Sequence, residues 1–136
     1  MASYAYFDHD ADIGVIGRGD SLEAAFVAAA EGMFALMVNL EAIQPTTTVQ
    51  FTFEEPDREL ALVVWLNRLL AEARAAGVVF GHFHLTRENR HWRGEARGEP
   101  WRADLERGVE VKGATLTALA VEQRDGRWEA RCVLDV

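Results

Sequence analysis

The sequence predicts an α+β fold, with two helices covering one face of a mostly antiparallel sheet. Three observations lead there. Two stretches, beginning near Asp20 and Asp57, carry apolar residues at helical spacing behind polar capping residues. Most of the remainder alternates apolar and polar residues in short runs. Those runs follow one another through the C-terminal half instead of alternating with helices, the pattern of antiparallel pairing. The chain has 136 residues, enough for one domain over residues 1–136.

Taken in order, Tyr4 to His9 reads as a strand, turned at Asp10-Ala11-Asp12 into a second short strand from Ile13 to Ile16 that Gly17 and Gly19 close. A helix is expected over 21–38, with Asp20 as its cap and Glu23 completing a capping box. Its stripe is Leu22, Ala25, Phe26, Ala29, Met33, Leu36 and Met37. Val49, Phe51 and Phe53 alternate with polar neighbours in a half-buried strand. Pro56-Asp57 opens a second helix over 58–76, which Gly77 stops. One side of it carries Leu60, Val63, Val64, Asn67, Leu70 and Arg74, widened by Leu62, Leu66 and Leu69, with Trp65 at a helix–sheet boundary. Further strands are expected at 78–85, 91–97, 109–112, 115–123 and 127–136, with Asp125-Gly126 as a hairpin turn.

Composition restricts the function classes. The net charge is −8 and Lys112 is the only lysine, so clustered phosphate contacts are missing and tight independent binding to nucleic acid is not expected. An acidic surface suits a metal ion or a basic partner. A single cysteine, Cys132, fits a reducing compartment. No apolar run is long enough to span a membrane and no secretory leader is apparent, so a soluble cytoplasmic protein is expected.

Residues 8–12 read Asp-His-Asp-Ala-Asp. Two carboxylates about 4 Å apart repel by about 4 kcal/mol at an effective dielectric near 20, and a hard cation such as Ca²⁺ or Mg²⁺ relieves this. The ordinary alternative is a solvated acidic turn. Asp135 and Val136 add anionic groups at the other end, and they would meet Asp12 if the last strand pairs beside the first. His82 and His84 share a strand face, with His91 a neighbour on the next strand, but no third ligand at suitable spacing accompanies them. Surface or packing histidines are the expectation. Gly14, Gly17 and Gly19 do not have the spacing of a phosphate cradle. Cys132 reads as a buried small residue without a histidine partner.

Four blocks resemble the archease family. His9-Asp10-Ala11-Asp12-Ile13-Gly14 is similar to its His-Thr-Ala-Asp-x-Gly signature. Trp65-Leu66-Asn67-Arg68-Leu69-Leu70 with Gly77-Val78-Val79-Phe80 resembles its second helix and following strand. Glu110-Val111-Lys112 matches its Glu-Val-Lys block, and Trp128 through Leu134-Asp135-Val136 looks like its closing strand. The chain differs at Asp10, where threonine is usual, at Gly113, where alanine is usual, and at Leu116-Thr117, where a Tyr-His pair is common.

The resemblance implies an accessory protein, not itself an enzyme, that promotes guanylylation and turnover of an RtcB-type RNA ligase in tRNA splicing and RNA repair. It implies a divalent-metal site, Ca²⁺ with Mg²⁺ as the alternative, on Asp12, Asp135 and Val136. Lys112 is implied as a functional residue, and His9 and Asp10 stand as additional candidates. The residues alone leave two other classes open: a small metal-dependent hydrolase using Asp10, Asp12 and Asp135, and a chaperone-like binding module.

Overall fold

The structure is a computed structural model that describes residues 2–136. Its elements are β1 (Ser3–His9), β2 (Asp12–Gly19), α1 (Leu22–Met37), a 3₁₀ turn (Leu40–Ala42), β3 (Thr47–Glu54), α2 (Arg58–Ala76), β4 (Val78–Glu88), β5 (His91–Pro100), β6 (Gly113–Ala114), β7 (Ala120–Arg124) and β8 (Arg127–Asp135). The fold is α+β, with both helices packed against antiparallel strands. Those strands divide into two sheets. One runs β1-β2-β8, with β6 and β7 both along the outer edge of β8, and the other runs β3-β5-β4.

Helix α1 packs against β2, β1 and β8 of the first sheet and β4 of the second. It therefore buries more than one stripe: Ala28, Ala30 and Phe34 are enclosed along with Leu22, Ala25, Phe26, Ala29 and Met33. Each large apolar side chain so enclosed contributes roughly 1.5–3 kcal/mol. Gly17 explains how close α1 can come, since a Cβ there would lie 2.1 Å from the Ala25 carbonyl oxygen and 2.4 Å from the Ala29 nitrogen. This glycine is a contact point inside β2, so the strand continues to Gly19 instead of closing at Ile16.

Helix α2 bridges the sheets and touches α1. Trp65 is fully buried at the helix–sheet boundary, as expected, with its ring against Phe51 and Gly94 of the second sheet, and its Nε1 donates to the Phe26 carbonyl of α1 at 2.9 Å. The buried stripe is Ala61, Leu62, Trp65, Leu66, Leu69, Leu70 and Ala73. Its centre lies to one side of the sequence-derived stripe: Leu60 is exposed, while Val63, Val64 and Asn67 form a half-buried shoulder.

Several local expectations are corrected. Ser21, not Asp20, caps α1, its hydroxyl accepting from the Ala24 N–H at 3.0 Å. Residues 109–112 form no ladder strand: the Val109 N–H goes to Leu36 O of α1 at 2.8 Å, and only at Lys112, whose N–H donates to Asp135 O at 2.8 Å, does the chain reach β8. The single strand expected over 115–123 is broken by a turn at Leu116–Leu119, where Ala118 has φ 53°, and pairing resumes only at Ala120. Asp125 and Gly126 form the β7–β8 turn with φ 51° and 76°. The α2 boundaries and the Gly77 stop match the sequence expectation, and Asp57 is the N-cap, its side chain accepting from the Glu59 and Leu60 N–H groups.

Candidate functional site

Strand pairing draws the two ends of the chain together. Antiparallel β1–β2 register sets His9 opposite Asp12, and β2–β8 register sets Ile13 opposite Leu134. One step beyond that last pair, Asp12 stands beside Asp135, on the sheet face that Ile13 and Leu134 do not occupy. Asp135 in turn pairs with Gly113 of β6. His9, Asp12, Asp135 and Gly113 thus form one row across four strands. The Val136 N–H donates to Asp12 Oδ1 at 3.4 Å, and the Lys112 N–H donates to the Asp135 carbonyl at 2.8 Å.

Asp12, Lys112, Asp135 and Val136 therefore meet at one sheet end. Asp12 and Val136 are half-buried, whereas Lys112 and Asp135 are exposed. Asp10 is the least engaged candidate: its side chain is 93% exposed, and its partner is His9 Nδ1 at 3.9 Å. It occupies the left-handed region at φ 53°, which aspartate tolerates in a turn.

A hard cation prefers oxygen donors. Asp12, Asp135 and the main-chain oxygen of Val136 are of that kind. Among the described residues, however, no three His, Cys, Asp or Glu side chains are grouped so as to hold a metal ion by themselves. The donor chemistry fits a hard cation, and the side-chain grouping alone does not supply a full coordination set.

Asn67, which also lies in the block Trp65 to Leu70 that resembles the family, and Arg74, both read from the sequence as members of an apolar stripe, bind the backbone beside this site. Asn67 Nδ2 donates to Ala114 O at 3.1 Å, and Asn67 Oδ1 accepts from Ala114 N at 2.8 Å. Arg74 donates through one Nη to Val111 O at 2.9 Å and Lys112 O at 3.1 Å. The available signal was polarity itself, an amide and a guanidinium on a helix side otherwise apolar. Beside Arg74 lies a cavity of about 300 Å³, walled in part by Phe34, Leu70, Trp101 and Val111.

The remaining sequence candidates lie elsewhere. His84 stands opposite Glu95 and His91 opposite Glu88, so the three histidines do not converge. Gly14 accommodates the Phe7 ring, which a Cβ would meet at 2.1 Å. Cys132 is fully buried, and burial pushes its thiol up to about 12. No described helix is long and apolar enough to cross a membrane.

Comparison with known proteins bears on the family and the fold. The model of the Archease protein family matches residues 4–136. Protein archease of Pyrococcus furiosus is 35% identical over 142 residues, covering all of both chains. Protein archease of Sulfolobus acidocaldarius is 33% identical over 139 residues, again with full coverage of both. The solution structure of protein 1598 of Methanobacterium thermoautotrophicum superimposes with a TM-score of 0.83 at 28% identity, covering 98% of this chain and 99% of that one. The crystal structure of an archease from Thermotoga maritima shares the fold with a TM-score of 0.63 at 21% identity, covering 96% of this chain and 94% of that one. With the family model spanning nearly every residue and full-length relatives above 30% identity, the chain belongs to the archease family.

Proposed function

We propose that this protein is an accessory factor that activates an RtcB-type RNA ligase by promoting its guanylylation and turnover. The observation that carries the proposal is the meeting of Asp12, Lys112, Asp135 and Val136 at one sheet end, tied by the Val136–Asp12 and Lys112–Asp135 hydrogen bonds. These are the positions matched by the family motifs.

In this reading Asp12, Asp135 and the main-chain oxygen of Val136 hold a divalent cation, Ca²⁺ in preference to Mg²⁺. When bound, the cation supplies a concentrated positive charge that offsets the carboxylate repulsion. Asp12 also orients the end of β8 by accepting the Val136 N–H. Lys112, exposed and tied through its backbone N–H to the Asp135 carbonyl, is the residue that would meet an anionic group of the partner's reaction centre. The net charge of −8 favours a basic protein surface over RNA as the direct contact.

The test is a guanylylation time course with labelled GTP and the ligase from the same organism. Wild type should accelerate formation of the ligase–GMP intermediate. Asp12→Ala and Asp135→Ala should each abolish most of that gain with unchanged circular dichroism, and Lys112→Ala should reduce it. Absence of acceleration by wild type overturns the proposal.

A further inference from the structure

The segment that carries Lys112 lacks a continuous strand partner, yet its main-chain polar groups are engaged one after another. Val109 N–H goes to Leu36 O, Lys112 N–H to Asp135 O, and Thr115 N–H to Val133 O. The groups that point away from β8 meet α2. Ala114 directs both its N–H and its carbonyl at the Asn67 amide, as it would at a neighbouring strand. Val111 and Lys112 direct their carbonyls at Arg74. Two helical side chains seven residues apart, two turns on the same side of α2, thus stand in for the strand missing at the edge of the sheet.

From this geometry we infer that Asn67 and Arg74 are positioning residues that fix Lys112 beside Asp135. The inference rests on the reading of Lys112 and Asp135 as functional residues. Neither Asn67 nor Arg74 touches the carboxylates in the hydrogen bonds described; they act through the backbone of 111–114. The fit around Asn67 is close, since a Cβ at Gly113 would lie 3.3 Å from Asn67 Oδ1. A C-terminal arginine usually serves the carbonyls of its own helix. Arg74 instead reaches the carbonyls of a segment 37 and 38 positions away. A half-buried asparagine kept on a helix shoulder beside Val63 and Val64 is accounted for by the two complementary groups of one peptide.

Amide hydrogen exchange, followed by NMR on the full chain, tests this without a ligase. Arg74 is exposed, so Arg74→Ala should retain the fold, and Asn67→Ala provides the second probe. Each substitution should raise exchange at the Lys112 amide about tenfold while buried amides such as Val15 and Phe26 change little. The Lys112 amide is bonded to Asp135, not to either substituted residue, so its response reports positioning. Arg74→Lys, which keeps one donor group, should recover part of the protection. In the guanylylation assay Arg74→Ala should lower the maximal acceleration, and adding it to Lys112→Ala should cause no further loss. Unchanged exchange at Lys112, or a rise only in step with Val15 and Phe26, overturns the inference. Wild type that fails to accelerate guanylylation would instead remove the activator reading and leave the exchange result to decide positioning.

Discussion

Val136 and Asp12, 124 positions apart, are joined by a hydrogen bond in which the Val136 N–H donates to Asp12 Oδ1 at 3.4 Å. The bond continues the β2–β8 ladder beyond Ile13 and Leu134 by means of a side chain. Asp12 therefore holds the end of β8 and, in the proposed reading, also supplies a carboxylate to the cation.

Metal dependence should follow from that double role. Ca²⁺ or Mg²⁺ should raise the melting temperature of wild type, because a ligand bound only by the folded state stabilises it by mass action. Asp12→Ala should remove the increase, and it should also loosen the Val136 end in metal-free protein. Differential scanning fluorimetry across a cation titration gives the answer. An equal increase in the variant would place the cation elsewhere.

The interlock between the helices and β2 should be sensitive to small changes in shape. Trp65→Phe removes the Nε1 bond to the Phe26 carbonyl, an oxygen inside α1 that keeps its helical role, and leaves a void in the core, costing about 2 kcal/mol. Gly17→Ala forces a methyl against the α1 backbone and should cost about 3 kcal/mol, at the upper end for overpacking. Urea denaturation measures both. A Gly17→Ala variant as stable as wild type would mean that α1 shifts freely on β2.

Acid sensitivity should centre on Glu99, the buried polar side chain of β5. It accepts from Arg102 at 2.8 Å and from the Gln44 N–H at 2.6 Å. The Arg102 hydrogen bond, then the Gln44 backbone bond, hold its carboxyl below the usual value of 4.5. A depressed folded-state value means stability that is present above the unfolded value and lost as pH falls through the folded one. Glu99→Gln should therefore be less stable than wild type at neutral pH, with the gap closing as pH drops below about 4.5. Thermal melts from pH 7 to pH 3 test this, and a gap independent of pH would show that the carboxylate charge is immaterial.

The sequence was most legible where chemistry is local. The second helix could be bounded to the residue because Asp57 and Gly77 have only short-range tasks, capping free N–H groups and adopting a left-handed turn. The Asp125-Gly126 hairpin was legible for the same reason. Residues 109–119 were not, because alternation there coexists with long-range partners, Leu36, Arg74 and Asp135, that periodicity cannot reveal. The division into two sheets was likewise hidden, since strand propensity does not state which strand is the neighbour. Of the site, the acidic residues at both ends and Lys112 could be singled out from motif resemblance. The roles of Asn67 and Arg74 could not, since each depends on a backbone 37 to 47 positions distant.

The balance of forces around Asp135 gives the last prediction. Its side chain is exposed beside the half-buried Asp12, and β pairing keeps the two neighbours whether or not a cation is present. Like charges held in that way destabilise the folded state, but exposure screens the effect to at most about 1 kcal/mol. The main-chain contacts of Asp135 to Lys112 and Gly113 use backbone atoms and survive substitution. Asp135→Asn should accordingly stabilise the protein in chelator at low ionic strength by about 0.5 kcal/mol, and the gain should vanish in molar salt. In saturating Ca²⁺ the order should reverse, because the variant lacks a charged oxygen donor. Chemical denaturation under the three conditions distinguishes these terms. A loss of stability in chelator would show that the Asp135 carboxylate makes a structural hydrogen bond whose value exceeds the repulsion.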